Sequence, residues 1–278
     1  MNNAQPFTFQ NDAGTIDYTL MNDYMFRAVL QENEIVLKGL VCSLLRLLPD
    51  DVKTVTILNP IELGKSYDEK AFVLDIKVLL NNAAVINIEL QVANQSFWSN
   101  RSLSYLCGIF QNLKHGEDYA QVKPAYHIGI LNFSLFPEYP EFYATYKIMN
   151  VEKHYIYNDN FTLNVLDLKQ IELATDEDKA YQLDYWARLF QAKKWEELKM
   201  MAQDNTVMKE AGETLYKLNQ DDEMRYICEM REEGQRILRT YQTLIRQGEE
   251  KLAENAAALA EKDAIIAALQ EQIKELQK

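Results

Sequence analysis

The sequence predicts an α/β core that gives way to helices and ends in a long coiled coil. Three observations carry this reading. Residues 71–92, AFVLDIKVLLNNAAVINIELQV, hold two apolar, β-branched runs around a polar break, the pattern of paired strands. All six prolines lie in the first 140 residues and only three glycines follow Glu141, so punctuated segments give way to long regular ones. From Leu238 through Ile245, Leu252, Leu259 and Ile266 to Ile273, an aliphatic residue recurs every seven positions.

The elements follow in order. Residues 20–48 read as one helix, with Phe26, Val29, Leu30, Ile35, Leu37, Leu40, Val41, Leu44, Leu45 and Leu48 on a broad apolar face and Pro49 as its stop. Residues 52–58 alternate Val and Thr as a first strand, and 66–70 form a polar connection into the hairpin at 71–92. Residues 99–114 read as a helix, with Ser99 or Asn100 as its cap and Gly116 as its stop. A buried strand is expected at 126–133, and a hairpin with arms 149–157 and 161–168 around Asn158-Asp159-Asn160. Residues 176–221 read as two or three helices. There Trp186, Leu189, Phe190, Trp195 and Leu198 form an aromatic cluster at helical spacing that would cover one side of the sheet.

Residues 222–278 read as one long helix. Tyr241, Leu269 and Leu276 fall three positions after the heptad aliphatics, while Gly248, Asn255 and Lys262 interrupt that second seam. A single helix cannot bury such a stripe alone, and polar seam residues can fix the oligomeric state. A parallel homodimer is expected; a trimer, or a tail folded back on its own domain, are the alternatives. The expected division is an arm at 1–19, an α/β core at 20–173, a helical extension at 174–221 and the coiled coil at 222–278.

Composition narrows the function classes. A hydrophobic content of 47% supports a packed core. The opening MNNAQPFTFQND lacks the basic and apolar regions of a signal peptide, and no run reaches the ~18 apolar residues of a membrane helix. Cys42, Cys107 and Cys228 are scattered in apolar, helix-like contexts and read as buried thiols in a reducing compartment, the cytoplasm. Three scattered histidines without a CxxC give no zinc site. A net charge of −13 opposes strong nucleic-acid binding, which rests on phosphate neutralisation. Arg101, Lys114 and Lys123 are the candidates for a local basic patch.

The chemistry concentrates in the hairpin. Asp75 and Glu89 each interrupt an apolar strand, where an unpaired carboxylate is costly. Glu89 and Gln91 share one face of their strand, as do Asp75 and Lys77 of theirs. If Leu80 pairs with Ala84 across a three-residue loop, Asp75 lies opposite Glu89; a two-residue Asn-Asn loop would put the acids on opposite faces. The odd loop is expected. Opposed Cβ atoms stand about 4.5–5.5 Å apart, and a hard cation relieves the repulsion. Oxygen-only ligands favour Mg²⁺ or Mn²⁺. An edge-exposed Asp75, with Glu89 paired to Lys77 or Arg101, accounts equally for the acids. Arg101 shares a helix face with Tyr105 and could brace Glu89 or reach a phosphate.

Asp, hairpin, then Glu-x-Gln resembles the PD-(D/E)XK nuclease superfamily, and within it the recombination-promoting nuclease and transposase family, whose third motif position is usually Gln. Further segments match in order: NDYMFRAVLQENE (22–34), ILNP (57–60), RSLSYLCGIFQNLKHGEDY (101–119), AYHIGILNFSLF (125–136), Ile171-Glu172-Leu173 and Asp184-Tyr185-Trp186. The resemblance covers most of residues 20–240. It implies a restriction-endonuclease-like core, a mixed central sheet flanked by helices. It also implies a Mg²⁺- or Mn²⁺-dependent DNA endonuclease that hydrolyses phosphodiester bonds and promotes recombination. Asp75 and Glu89 match the metal-binding acids, Gln91 the position held by Lys in most of the superfamily, and Asp23 an accessory acid. Lys77 is the candidate for the positive charge Gln91 lacks. Arg27 stands where Lys is commoner and reads as a neutral exchange. A catalytically silent coiled-coil scaffold on the same fold is the rival reading, and RNA is an alternative substrate.

Overall fold

In the computed structural model, which describes residues 9–61, 75–93, 97–111 and 118–277, the Asn22 side chain accepts hydrogen bonds from the backbone N–H groups of Tyr24 (3.1 Å) and Met25 (3.2 Å). That cap starts α1 (Asp23–Glu32). Asn33 then ends α1 and caps α2 (Glu34–Leu45), its side chain accepting from Ile35 and Val36 N–H. The single helix expected over 20–48 is therefore two, because an Asn side chain offers the backbone an alternative to the helical ladder. Both helices bury an apolar face, but Ile35 and Leu48 are exposed rather than part of it, Ile35 in the first turn of α2 and Leu48 beyond its end.

β1 (Val55–Ile57), shorter than expected, pairs antiparallel with β2 (Ile76–Leu80), which pairs antiparallel with β3 (Ala84–Gln91). Asn81 and Asn82 take positive φ (50° and 55°) in the turn, which Asn tolerates. The Asn81 carboxamide oxygen accepts from Lys53 and Thr54 N–H. Leu80 lies opposite Ala84 and Ile76 opposite Ile88, the register of the odd loop. The apolar residues 71–74 and the polar connection at 66–70 lie outside the described residues.

β3 is central and almost wholly buried. It leads through α3 (Trp98–Phe110) to the parallel strand β4 (Ala125–Leu131), which pairs in parallel with β6 (Phe161–Asp167). β5 (Tyr143–Lys147) closes the edge, antiparallel to β6. The sheet is mixed and six-stranded, in the order β1-β2-β3-β4-β6-β5. Ser99 and Asn100 lie inside α3, whose N-cap is Phe97, so neither is the cap expected; Gly116 lies outside the described residues. The hairpin arm expected at 149–157 makes only a Met149–Ile156 bridge. There Asn150 accepts from Glu152 and Lys153 N–H and closes a turn of its own, so the strand that pairs with β6 lies earlier.

One sheet face, with Ile76, Val78, Ile86, Ile88, Ile128 and Ile130, packs in a core that also takes α1, α2 and the helices after the sheet. Those are four rather than two or three: α4 (Asp176–Ala180), α5 (Leu183–Gln191), α6 (Trp195–Ala202) and α7 (Thr206–Asn219). Trp186, Leu189, Phe190, Trp195 and Leu198 are all buried in this core, as the aromatic cluster predicted. The Trp186 indole N–H donates to Ser43 Oγ at 3.0 Å, joining α5 to α2. The other face is covered by α3, whose Leu106 and Ile109 pack on Val85 and Ala125, and whose Trp98 packs on Leu131 and Val165.

α8 runs from Asp222 to Leu276. The chain divides into two units, Met1–Glu229 and Met230–Lys278. In the first, Met224, Ile227 and Cys228 are buried. In the second, Leu238, Ile245, Leu252, Leu259, Ile266 and Ile273 are all at least half exposed. Among the described residues no helix is long and apolar enough to cross a membrane. Cys42 and Cys228 are buried, but Cys107 is exposed on α3, contrary to expectation, because its helix turns it away from the sheet.

Candidate active site

The face of the sheet beneath α3 carries the acids. Continuing the β2–β3 register one step past Ile76–Ile88 sets Asp75 across from Glu89. Opposed residues share a face, so both carboxylates project to the α3 side. Asp75 is 5% exposed and Glu89 2%. Burial first, and then the Glu89 charge, push the Asp75 carboxyl above its ordinary range, against the opposing pull of Asn87, Arg101 and His127.

Asp75 is fixed through its backbone. Its carbonyl accepts from Arg27 Nη1 at 2.5 Å and from Asn59 Nδ2 at 2.9 Å. Arg27 also donates to the Asn59 carbonyl, and Asn59 Oδ1 accepts from Lys77 N–H at 2.9 Å. Arg27 is 1% exposed. Its fork spans two carbonyls, which the point charge of a lysine cannot copy. Asp23, half-buried, begins α1 one turn before Arg27 on the same face.

Glu89 is held by charge. Arg101 Nη2, from the first turn of α3, lies 3.0 Å from Oε1, and His127 Nε2 lies 3.5 Å from Oε2. Arg101 also sits over the Tyr105 ring, 5.3 Å from its centroid. Neither Glu89 oxygen has a well-aligned hydrogen bond among the described residues. Asn87, on the same face of β3, donates to Asp75 Oδ2 at 3.4 Å and meets His127 Nδ1 at 3.0 Å. Gln91, 9% exposed, continues the row, and its Nε2 donates to the Ala93 carbonyl at 3.0 Å. Lys77 faces Asn87 across the strands with an exposed side chain, and among the described residues it makes no ion pair with either acid.

Gly129 explains how α3 comes so close. It pairs with Glu89 in the parallel register, and a Cβ there would lie 2.3 Å from Cζ2 of Trp98. The missing side chain admits the indole and lowers the first turn of α3, with Arg101, onto Glu89.

The sequence reading missed Asn87, His127 and Asn59. The first two had a legible signal: Asn87, Glu89 and Gln91 alternate in one apolar strand, and His127 interrupts another. Asn59 lies in the family-like ILNP segment, but its role was not legible because its contacts are with backbone atoms distant in sequence.

This arrangement fits a hard divalent cation. Two buried carboxylates face each other, with the Arg101 guanidinium beside Glu89 and that of Arg27 on the Asp75 main chain. Both Glu89 oxygens and Asn87 Oδ1 are buried without an aligned partner among the described residues. Mg²⁺ binds through one or two carboxylates and keeps several waters, so it needs no larger cage. Among the described residues no group of three His, Cys, Asp or Glu gathers as an ion site, so neutral oxygens and waters would complete the set.

No curated protein and no solved structure gives a significant match. A family model described as PD-(D/E)XK nuclease family transposase matches residues 20–241, which span the sheet, the acid pair, the helices after the sheet and the start of α8. With a mixed sheet flanked by helices and both acids on one face of it, the chain belongs to the PD-(D/E)XK nuclease family transposases.

Proposed function

We propose that the protein is a metal-dependent endodeoxyribonuclease that hydrolyses phosphodiester bonds. The observation that carries this reading is the opposed, buried pair Asp75 and Glu89, with both Glu89 oxygens lacking an aligned donor. Asp75 and Glu89 would hold Mg²⁺ or Mn²⁺. A bound divalent cation activates water and stabilises charge building on phosphate. Gln91 Nε2 is engaged by Ala93, which leaves Oε1 to orient the attacking water or a phosphate oxygen.

Gln91 supplies no positive charge. Arg101 is the better source than Lys77, since it already stands 3.0 Å from Glu89 and is about one-third exposed. With Glu89 holding a cation, the Arg101 guanidinium would be available to a phosphate. Lys77→Met should then cleave like wild type. Asp23, one turn before Arg27 on α1, is the candidate accessory acid.

The exposed heptad stripe of α8 supports a parallel homodimer. Two sites acting on opposite strands would give the double-strand break that initiates recombination. The three free cysteines fit the reducing cytoplasm.

The test is incubation with supercoiled plasmid and Mg²⁺ or Mn²⁺, beside Asp75→Ala and Glu89→Ala. Metal-dependent nicking by wild type alone is expected. Equal nicking by all three would remove the site. Absence of DNA cleavage with cutting of RNA would reassign the substrate, and absence of both would leave a silent coiled-coil scaffold.

A further inference from the structure

We infer that Asn87 and His127 form a buried brace that orients the two acids for the cation, making both of them positioning residues. The inference rests on the nuclease reading and deepens it. The parallel register of β3 and β4 sets Asn87 against His127, directly beside the pair Glu89 and Gly129. Asn87 is 1% exposed and His127 not exposed at all.

The hydrogens on Asn87 Nδ2 account for the geometry. That nitrogen lies 3.4 Å from Asp75 Oδ2 and 3.0 Å from His127 Nδ1. It has two hydrogens, one for each. Donation from Asn87 makes His127 Nδ1 the acceptor and leaves the ring proton on Nε2, an assignment made by the hydrogen-bond network. Nε2–H then faces Glu89 Oε2 at 3.5 Å. A row of polar contacts thus runs from one carboxylate through Asn87 and the imidazole to the other, its last link from Nε2 to Oε2 a 3.5 Å electrostatic contact without hydrogen-bond alignment. The opposite amide orientation would aim the Asn87 oxygen at Asp75 and the Nε2 lone pair at Glu89, two repulsions in a buried site.

The ring itself is fixed. Trp98 stands 6.2 Å from the imidazole centroid and Tyr105 5.9 Å, at tilts of 42° and 49°. Both belong to α3, which also supplies Arg101. Glu89 therefore has the part-exposed Arg101 on Oε1 and the fully buried His127 on Oε2. Arg101 would give up Oε1 to a cation while His127 would keep the carboxylate aimed. Partners that orient metal ligands in this way act through geometry rather than by touching substrate.

The experiment measures Mn²⁺ binding to the full chain by electron paramagnetic resonance, alongside plasmid cleavage as a function of Mn²⁺ and of DNA concentration. The variants are His127→Gln, His127→Phe and Asn87→Leu. Gln places a donor where Nε2–H stood, so it should stay near wild type, while Phe and Leu should weaken Mn²⁺ binding by about 10–100-fold. The Mn²⁺ needed for half-maximal cleavage should rise in step, with the KM for DNA unchanged. Thermal unfolding of each variant separates loss of aim from loss of fold. If His127→Phe binds Mn²⁺ and cleaves as wild type does, the brace is overturned and the nuclease reading stands. If Gln and Phe weaken binding equally, with matching loss of thermal stability, the role is structural and the brace is overturned. A wild type that binds no Mn²⁺ and cuts nothing overturns the nuclease reading itself.

Discussion

Arg27, in the second turn of α1, donates to the main-chain carbonyl of Asp75 at 2.5 Å, across 48 positions of sequence. Burial pushes its guanidinium below its ordinary value, and Asp75 pulls the other way. The contact fixes the backbone of an acid whose own side chain faces the opposed carboxylate. Arg27→Lys is therefore not the neutral exchange the sequence suggested. A lysine cannot span both carbonyls as the guanidinium does, and the part-buried Asn59 carbonyl it leaves loses its donor, at a cost of about 1 kcal/mol. Urea unfolding should show that loss, and cleavage should fall because Asp75 is no longer held. Wild-type stability and cleavage in Arg27→Lys would refute the role.

Gly129→Ala should damage the site without touching an acid. The added methyl meets the Trp98 ring at 2.3 Å. Overpacking of this kind costs about 1–3 kcal/mol. It would lift the first turn of α3 and lengthen the Arg101–Glu89 pair. A crystal structure of the variant with α3 unmoved would contradict this.

The stability of the cation-free protein should carry the signature of Asp75. Burial and Glu89 raise its native pKa. As pH rises, the unfolded chain loses this proton first, at about 3.9. The folded chain then binds more protons, so stability falls from there until the raised native value is passed. Asp75→Asn removes that contribution. The difference in urea midpoint between wild type and variant, measured in EDTA, should therefore shift against wild type as pH rises through this window. A difference independent of pH would show that Asp75 titrates normally.

Sedimentation should find a dimer that dissociates in the double variant Leu252→Glu, Leu259→Glu. Both residues lie on the exposed stripe, 70% and 62% accessible. Helicity should fall with dissociation, since a lone helix gains most of its stability from packing. Asn255→Leu, at the second seam position, should raise the melting temperature while admitting other oligomers. A monomeric wild type would remove the coiled coil.

Much of the acid hairpin was legible because strand periodicity and loop parity are local. Residues 71–92 state two strands, and the Asn-rich turn limits the register to two choices that place Glu89 on opposite faces. Helix ends were read less well. Asn33 splits a continuous apolar pattern by capping, and Phe97 caps α3 with no side-chain bond to announce it. The strand before β6 was misplaced because Asn150 closes a local turn that periodicity does not show.

The sequence by itself determined the α/β-to-helix order, the two acids, the neutral Gln91 beside them and the seven-residue stripe of α8. All are properties of residue type at short spacing. Tertiary structure alone decided what surrounds the acids. Parallel pairing brings His127 to Asn87, the empty side of Gly129 admits Trp98 and with it Arg101, and α1 delivers Arg27 to the Asp75 carbonyl. These partners are tens of residues apart, and only the packing of α1 and α3 against opposite faces of one sheet makes them neighbours.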